Sequence, residues 1–283
     1  MAGPLAGVRA VELGLWVAGP SCGGILADWG ADVIKVEPLT GDPFRSLAWV
    51  YPDQINPPFE LDNRGKRSIA VDLSTPQGRE VIDRLLAGAD VFVTNYRPGG
   101  LERAGLDYPS MHQRFPHLVY GAVTGYGLDG PQRDKHAYDV GAFWAQAGVA
   151  HTLTGPGADI PYPRGGMGDH MTGMSVAGGI AAALFQREKS SGSGRPGEGQ
   201  LVVGSLMRTG AYFLGWDHNT TARLDGANVE PTPRGGPPNP LINGYRCGDG
   251  RWIWLLGLEG ERHWPTTIAA LGHPEWADDP RFV

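Results

Sequence analysis

The sequence predicts an α/β fold, a parallel sheet with crossover helices on its faces, followed by a smaller α+β region. Three observations carry this. Short apolar runs of strand type alternate with segments of helical period along most of the chain. The first such unit, 8–37, has the length of one βαβ crossover. A Pro/Gly-rich stretch, 223–240, then separates this pattern from a hairpin and a helix.

The elements follow in order. Residues 8–13 read as a strand, 17–20 as a small-residue turn, 21–29 as a helix with Gly30 at its C-terminal cap, and 32–37 as a second strand. A loop rich in Pro and Asp spans 38–65, and 68–73 is a short strand. Ser74-Thr75-Pro76 opens a helix, a capping hydroxyl followed by proline, with Val81, Ile82, Leu85 and Leu86 at helical spacing. Strands are predicted at 90–94 and 118–123, helices at 139–148 and 169–188, a strand at 200–203 and a helix at 205–216. The small residues of 169–188 suit close packing against another helix or the sheet. Beyond the boundary, 244–247 and 251–256 flank Gly248-Asp249-Gly250, a hairpin signal, and 259–271 reads as a helix. The domains are therefore expected at 1–222 and 223–283.

Composition narrows the function. Glycine (44) and proline (24) are abundant, yet 41% of the 283 residues are hydrophobic, which a disordered chain lacks. A net charge of −6 with no basic stripe argues against nucleic acid as a partner. No apolar run is long enough to span a bilayer, and Met1 to Leu5 lacks the features of a signal peptide. Two distant cysteines, Cys22 and Cys247, exclude a disulfide framework and favour a reducing, cytoplasmic setting.

Three loops follow the predicted strands: 15–20, 95–100 and 124–127. In an open parallel sheet they share one rim, where ligands bind. No GxGxxG, no P-loop and no metal-ligand spacing is present. Gly19-Pro20-Ser21-Cys22-Gly23 matches GxSxG, so a serine hydrolase using Ser21 stays open, although a loop separates the strand from Gly19. Gly165-Gly166-Met167-Gly168-Asp169 delivers an aspartate to the start of an apolar helix. Asp169 is either an N-cap or a nucleophile aimed into the rim, and the helix N-terminus is expected to keep it ionised at neutral pH.

The ordered set of segments resembles the family III CoA-transferases (the CaiB/BaiF family). It comprises 4–8 with Val17-Ala18-Gly19-Pro20, then 30–37, Asn63-Arg64-Gly65-Lys66-Arg67-Ser68, Asn95-Tyr96-Arg97-Pro98-Gly99, Gly125-Tyr126-Gly127, and Gly168-Asp169 ahead of 178–184. The resemblance implies a large Rossmann-like domain, a small domain and an interlocked homodimer. It implies acyl-CoA and a small carboxylate as substrates, with no permanently bound cofactor and no metal. Asp169 matches the family's nucleophile, which forms a mixed anhydride with the acyl group and then an aspartyl-CoA thioester. Val17, Ala18, Asn95, Tyr96, Arg97, Arg103, His136 and Tyr138 match residues that contact CoA, and Ala137 lies in the same channel segment. Pro38 stands where the family has a CoA-binding arginine, with Arg45 or Lys66 as candidate substitutes.

The family also holds acyl-CoA racemases, which use a His and an Asp as paired bases. There a His precedes the Asp that matches Asp139. Here Tyr138 occupies its place, and tyrosine, with an ordinary pKa of about 10, is a poor base near neutrality. His136 and Glu259 keep the racemase alternative open. Gly235-Gly236 matches a glycine loop over the active site. The resemblance further implies a chain that ends inside its small domain, so a truncated CoA-binding fragment without turnover is the remaining alternative.

Overall fold

The computed structural model describes residues 2–46, 56–191, 197–224, 231 and 239–282. Gly235-Gly236 lies outside them. Six parallel strands form one sheet: β1 (Arg9–Leu13), β2 (Asp32–Glu37), β3 (Arg67–Ala70), β4 (Val91–Thr94), β5 (Val119–Thr124) and β6 (Leu201–Ser205). Their order is β3-β2-β1-β4-β5-β6, the doubly wound arrangement in which the winding reverses between β1 and β4. Successive side chains point to opposite faces, so the strands other than the exposed β3 feed two cores. Ala10, Val91 and Val93 pack on one face, under α1 (Ala18–Asp28) and α7 (Met167–Ser191). Val11, Leu13 and Phe92 pack on the other, with Ile82 and Leu86 of α3 (Pro76–Ala87), Leu101 of α4 (Pro98–Ala104) and Met111 of α5 (Tyr108–Arg114).

Small residues let α7 lie directly on α1. A Cβ added at Gly173 would come within 2.1 Å of Ser21 Oγ and 3.0 Å of the Cys22 backbone nitrogen. Helix α1 ends as expected in a Schellman turn: the Ala31 N–H donates to the Leu26 carbonyl, and Gly30 adopts a left-handed φ of 97°.

Several elements differ from the sequence reading. The 38–65 loop contains a 3-10 turn at Pro43–Ser46 and a helix, α2 (Pro57–Asn63), whose N-cap Asn56 accepts the Phe59 N–H. Helices α4 and α5 also went unpredicted. Each opens on a proline in its first turn, as α2 does. The helix expected at 139–148 is a π-helical segment, Val140–Gln146, followed by the short α6 (Val149–Thr152). The helix expected at 205–216 breaks at Leu214 into α8 (Leu206–Phe213) and α9 (Gly215–Arg223).

The chain divides into two compact units, Met1–His151 with Pro161–Ala227, and Thr152–Ile160 with Asn228–Val283. The second thus takes in a stretch, 152–160, that a single cut near residue 222 leaves with the first. Within it, β7 (Ile242–Arg246) and β8 (Trp252–Leu256) form an antiparallel hairpin, followed by α10 (Gly260–Ala270). Among the described residues no helix is long and apolar enough to cross a membrane.

Candidate active site

The loops after β1 and β4 leave the sheet beside the strand-order reversal, where an open α/β sheet forms its crevice. A cavity of about 190 Å3 lies there. Trp16, Val17 and Ala18 line it from the β1 side, Asn95 and Arg97 from β4, His136 and Tyr138 from the segment before the π-helix, and Asp169 from α7. Arg97 Nη1 lies 3.0 Å from His136 Nε2. Tyr138 is 61% exposed and meets Trp16 edge-on, at 6.1 Å between rings.

Asp169 does not cap its helix. Helix α7 begins at Met167, which puts Asp169 inside the first turn. The capping carboxylate is that of buried Asp139, which accepts the Gly168 N–H at 3.2 Å. This changes the charge expected on Asp169. Burial, then repulsion from Asp139, pushes its pKa up to about 7, against a smaller downward pull from His170. The carboxyl is therefore poised between its two forms near neutrality, where the sequence reading has it ionised. His170 is anchored by buried Asp62, its Nε2 lying 2.9 Å from Asp62 Oδ1. That bond, together with the charges of Asp62, Asp169 and Asp139, raises the His170 pKa above its ordinary value.

A buried charge network holds the β1 rim loop. Lys35 Nζ lies 3.0 Å from Glu12 Oε1 and 3.0 Å from Asp42 Oδ2, and donates to the Gly14 carbonyl at 2.8 Å. Lys66 Nζ lies 2.7 Å from Glu12 Oε2 and donates to the Pro20 carbonyl at 2.8 Å. Gly23 makes room for Glu12, because a Cβ there would stand 1.9 Å from Oε2. Asp42 Oδ1 accepts the Trp16 N–H at 3.1 Å, and the Asn95 amide clasps both main-chain groups of Leu15, at 3.0 and 2.7 Å. Trp16 is the one non-glycine residue with a positive φ (63°) among the described residues. A left-handed conformation costs an ordinary residue about 1–2 kcal/mol, so the surrounding bonds must over-determine it.

These contacts redistribute the expected roles. Asn95 reaches the cavity, but its amide head is committed to Leu15. Tyr96, the next residue, faces the other way. It lines a second cavity, of about 400 Å3, with Glu37, Pro38, Thr40, Asp72 and Ser74 at the carboxyl ends of β2 and β3. Burial raises its pKa to about 12. Arg103 is exposed in the last turn of α4. Neither candidate substitute for an arginine at position 38 is a free cation. Lys66 is buried on Glu12, and Arg45 makes a two-point pair with Glu37, at 2.7 and 2.8 Å.

The GxSxG segment is no nucleophile elbow. Ser21 sits within α1, 3% exposed, and its hydroxyl donates to the Ala18 carbonyl at 2.9 Å. The motif's residues serve the packing of α1, and the hydrolase reading falls. Glu259 belongs to the second unit, exposed at the start of α10 and paired with Arg262 at 3.1 Å. Sequence reasoning missed Asp42, Lys35 and Glu12, whose only signal was charge inside or just after strongly apolar strands.

A doubly wound sheet with a carboxyl over its switch-point crevice defines an α/β protein with its cavity where such sheets bind ligands. Comparison with known proteins makes the class specific: the chain belongs to CoA-transferase family III, whose family model matches residues 5–283. It is 37% identical over 259 residues to (R)-2-hydroxy-4-methylpentanoate CoA-transferase of Clostridioides difficile, covering 90% of this chain and 63% of the relative. It is 34% identical over 280 residues to cinnamoyl-CoA:phenyllactate CoA-transferase of Clostridium sporogenes, covering 98% of this chain and 66% of the relative. The chain thus spans just under two thirds of the length of these two relatives. A crystal structure of a CAIB/BAIF family protein from Brucella suis matches with a TM-score of 0.84 at 31% identity, covering 100% of this chain and 73% of that one.

Proposed function

We propose that the protein moves CoA from an acyl-CoA donor to a carboxylate acceptor, with Asp169 as the nucleophile. The observation that carries the reading is Asp169 itself: a carboxyl on the switch-point cavity, relieved of capping by Asp139 and desolvated enough to be a reactive base. The ionised Asp169 oxygen attacks the thioester carbonyl, the C–S bond breaks, and CoA leaves as thiolate from an acyl-aspartyl anhydride. The thiolate attacks the aspartyl carbonyl, expels the donor carboxylate and leaves an aspartyl-CoA thioester. The acceptor carboxylate attacks this in turn, releasing thiolate. The thiolate then takes the acceptor acyl group and frees Asp169.

Other features support the reading. No side chain among the described residues caps α1 at Val17, so its first-turn N–H groups, beside the cavity, suit developing negative charge. Arg97 and His136 offer donors for phosphate, and the second cavity, at Tyr96, gives the nucleotide end a place on the same rim. The racemase alternative is weaker. His136 lies on Arg97, and Tyr138 occupies the position of a base.

The test is exchange of labelled acyl groups between CoA thioesters and carboxylates, with hydroxylamine trapping. Wild type is expected to yield a hydroxamate on Asp169, and Asp169→Ala to lose both signals while melting cooperatively. Full exchange in that variant sinks the mechanism.

A further inference from the structure

Trp16 is an expensive residue to place where it stands. A bulky side chain in the left-handed region is strained whatever space surrounds it, and a rim loop offers many positions where glycine serves at no cost. Yet the structure commits a buried carboxylate to keeping it there. Asp42, 1% exposed, accepts the Trp16 N–H through Oδ1, and its Oδ2 is fixed on Lys35 Nζ at 3.0 Å. The preceding residue, Leu15, is clasped on both main-chain groups by Asn95. The indole so placed is wedged between Phe44 and Tyr138, with 6.1 Å between ring centroids on each side. It forms a wall of the cavity that holds Asp169. That cavity, about 190 Å3, is smaller than the roughly 300–1,000 Å3 of sites for drug-sized ligands.

We propose that Trp16, pinned by Asp42, sets the size of the acyl group that reaches Asp169, making Trp16 a specificity residue for short acyl chains and Asp42 its positioning residue. The inference rests on the proposed CoA transfer and deepens it. Trp16 acts by occupying volume. Asp42 touches no substrate. It acts through the Trp16 backbone, so its effect must vanish when residue 16 no longer needs holding.

The experiment compares acetyl-CoA with octanoyl-CoA, by binding and by exchange, in the full chain as wild type, Trp16→Gly, Trp16→Phe, Asp42→Ala and the Trp16→Gly/Asp42→Ala double variant. Glycine keeps the left-handed backbone while removing the wall. Trp16→Gly is expected to raise the octanoyl-to-acetyl ratio of kcat/KM about tenfold or more, and Trp16→Phe to move it less in the same direction. Asp42→Ala is expected to lower kcat/KM for acetyl-CoA about tenfold, yet to cost less than threefold when added to Trp16→Gly, a coupling that a purely structural residue does not show. A chain-length ratio unchanged in both Trp16 variants, with wild type active, overturns the inference alone. Equal losses from Asp42→Ala in both backgrounds overturn the role of Asp42. A wild-type chain that neither binds nor turns over either thioester removes the CoA-transfer reading, and the inference with it.

Discussion

Asp169 owes its raised proton affinity to burial and to the charges of Asp139 and Asp62, and the consequence can be measured. Burial and the Asp139 charge raise its pKa to about 7, so it holds a proton more tightly folded than unfolded. The stability linked to that proton is fully present below the ordinary value of 3.8 and is lost as pH rises through about 7. Asp169→Asn, which cannot ionise, is therefore expected to be more stable than wild type at pH 8, on the order of 1–3 kcal/mol, with the gap closing only as pH falls to about 4. Denaturant titrations at the two pH values check this. In the proposed mechanism the same ionisation puts an acid limb near pH 7 on the exchange rate, because the attacking form is the anion. His170 opposes the upward shift. Its bond to Asp62 favours the imidazolium, and that contribution is full below its ordinary pKa of 6.5 and is lost as pH rises through the raised one.

The close approach of α1 and α7 joins the two sides of the cavity, since Val17 and Ala18 open one helix and Asp169 lies in the first turn of the other. Gly173→Ala forces a methyl against Ser21 Oγ and the α1 backbone. It is expected to destabilise the fold by about 1–3 kcal/mol, read by the denaturant midpoint, and to lower exchange in the surviving native protein. Such elements differ in how far the sequence announces them. The central strands β1, β2, β4 and β5 were legible because they bury both faces and read as short apolar runs, as Val91-Phe92-Val93 does. Helices α2, α4 and α5 lack a long apolar stripe, and their signal is a proline in the first turn, with Asn56 and Asp107 as side-chain caps on α2 and α5. The start of α7 was misread because its cap, Asp139, comes from 29 residues away, which no local pattern reports. The opposite orientations of Asn95 and Tyr96 follow from strand alternation carried one step past β4, and were legible in principle.

On the scale of the whole first unit, apolar surface is left uncovered. Phe185 is 66% exposed, Tyr212 85% and Trp216 90%, and a groove of about 820 Å3 runs past Met171, Met174 and Tyr212. Isolated exposed aromatics are ordinary, but an apolar groove lined by the exposed Met171, Met174 and Tyr212 suits an interface. We propose a second copy of the chain as its partner, in keeping with the homodimer that the family resemblance implies. Light scattering is expected to give twice the monomer mass, and Tyr212→Glu with Trp216→Glu to shift it toward the 30.2 kDa monomer. A monodisperse monomer in the wild type at micromolar concentration refutes this. The rim chemistry was legible as a set of loops. Its division into two cavities was not, because it depends on which side of the sheet edge each loop residue takes.

The strand order also dictates a history for the molecule. Leu13 pairs with Thr94, and Thr124 with Ser205, so each of these strand neighbours waits for a long intervening stretch of chain to emerge. β1, β2 and β3 can associate early, but the crevice has no second wall until β4 docks, and no carboxyl until α7 crosses α1. Such non-local pairing is slow to form, because loop closure must precede the contacts that reward it. The cavity that holds Asp169 is thus among the last features to mature, and a ribosome must release most of the first unit before any ligand has a place to bind there.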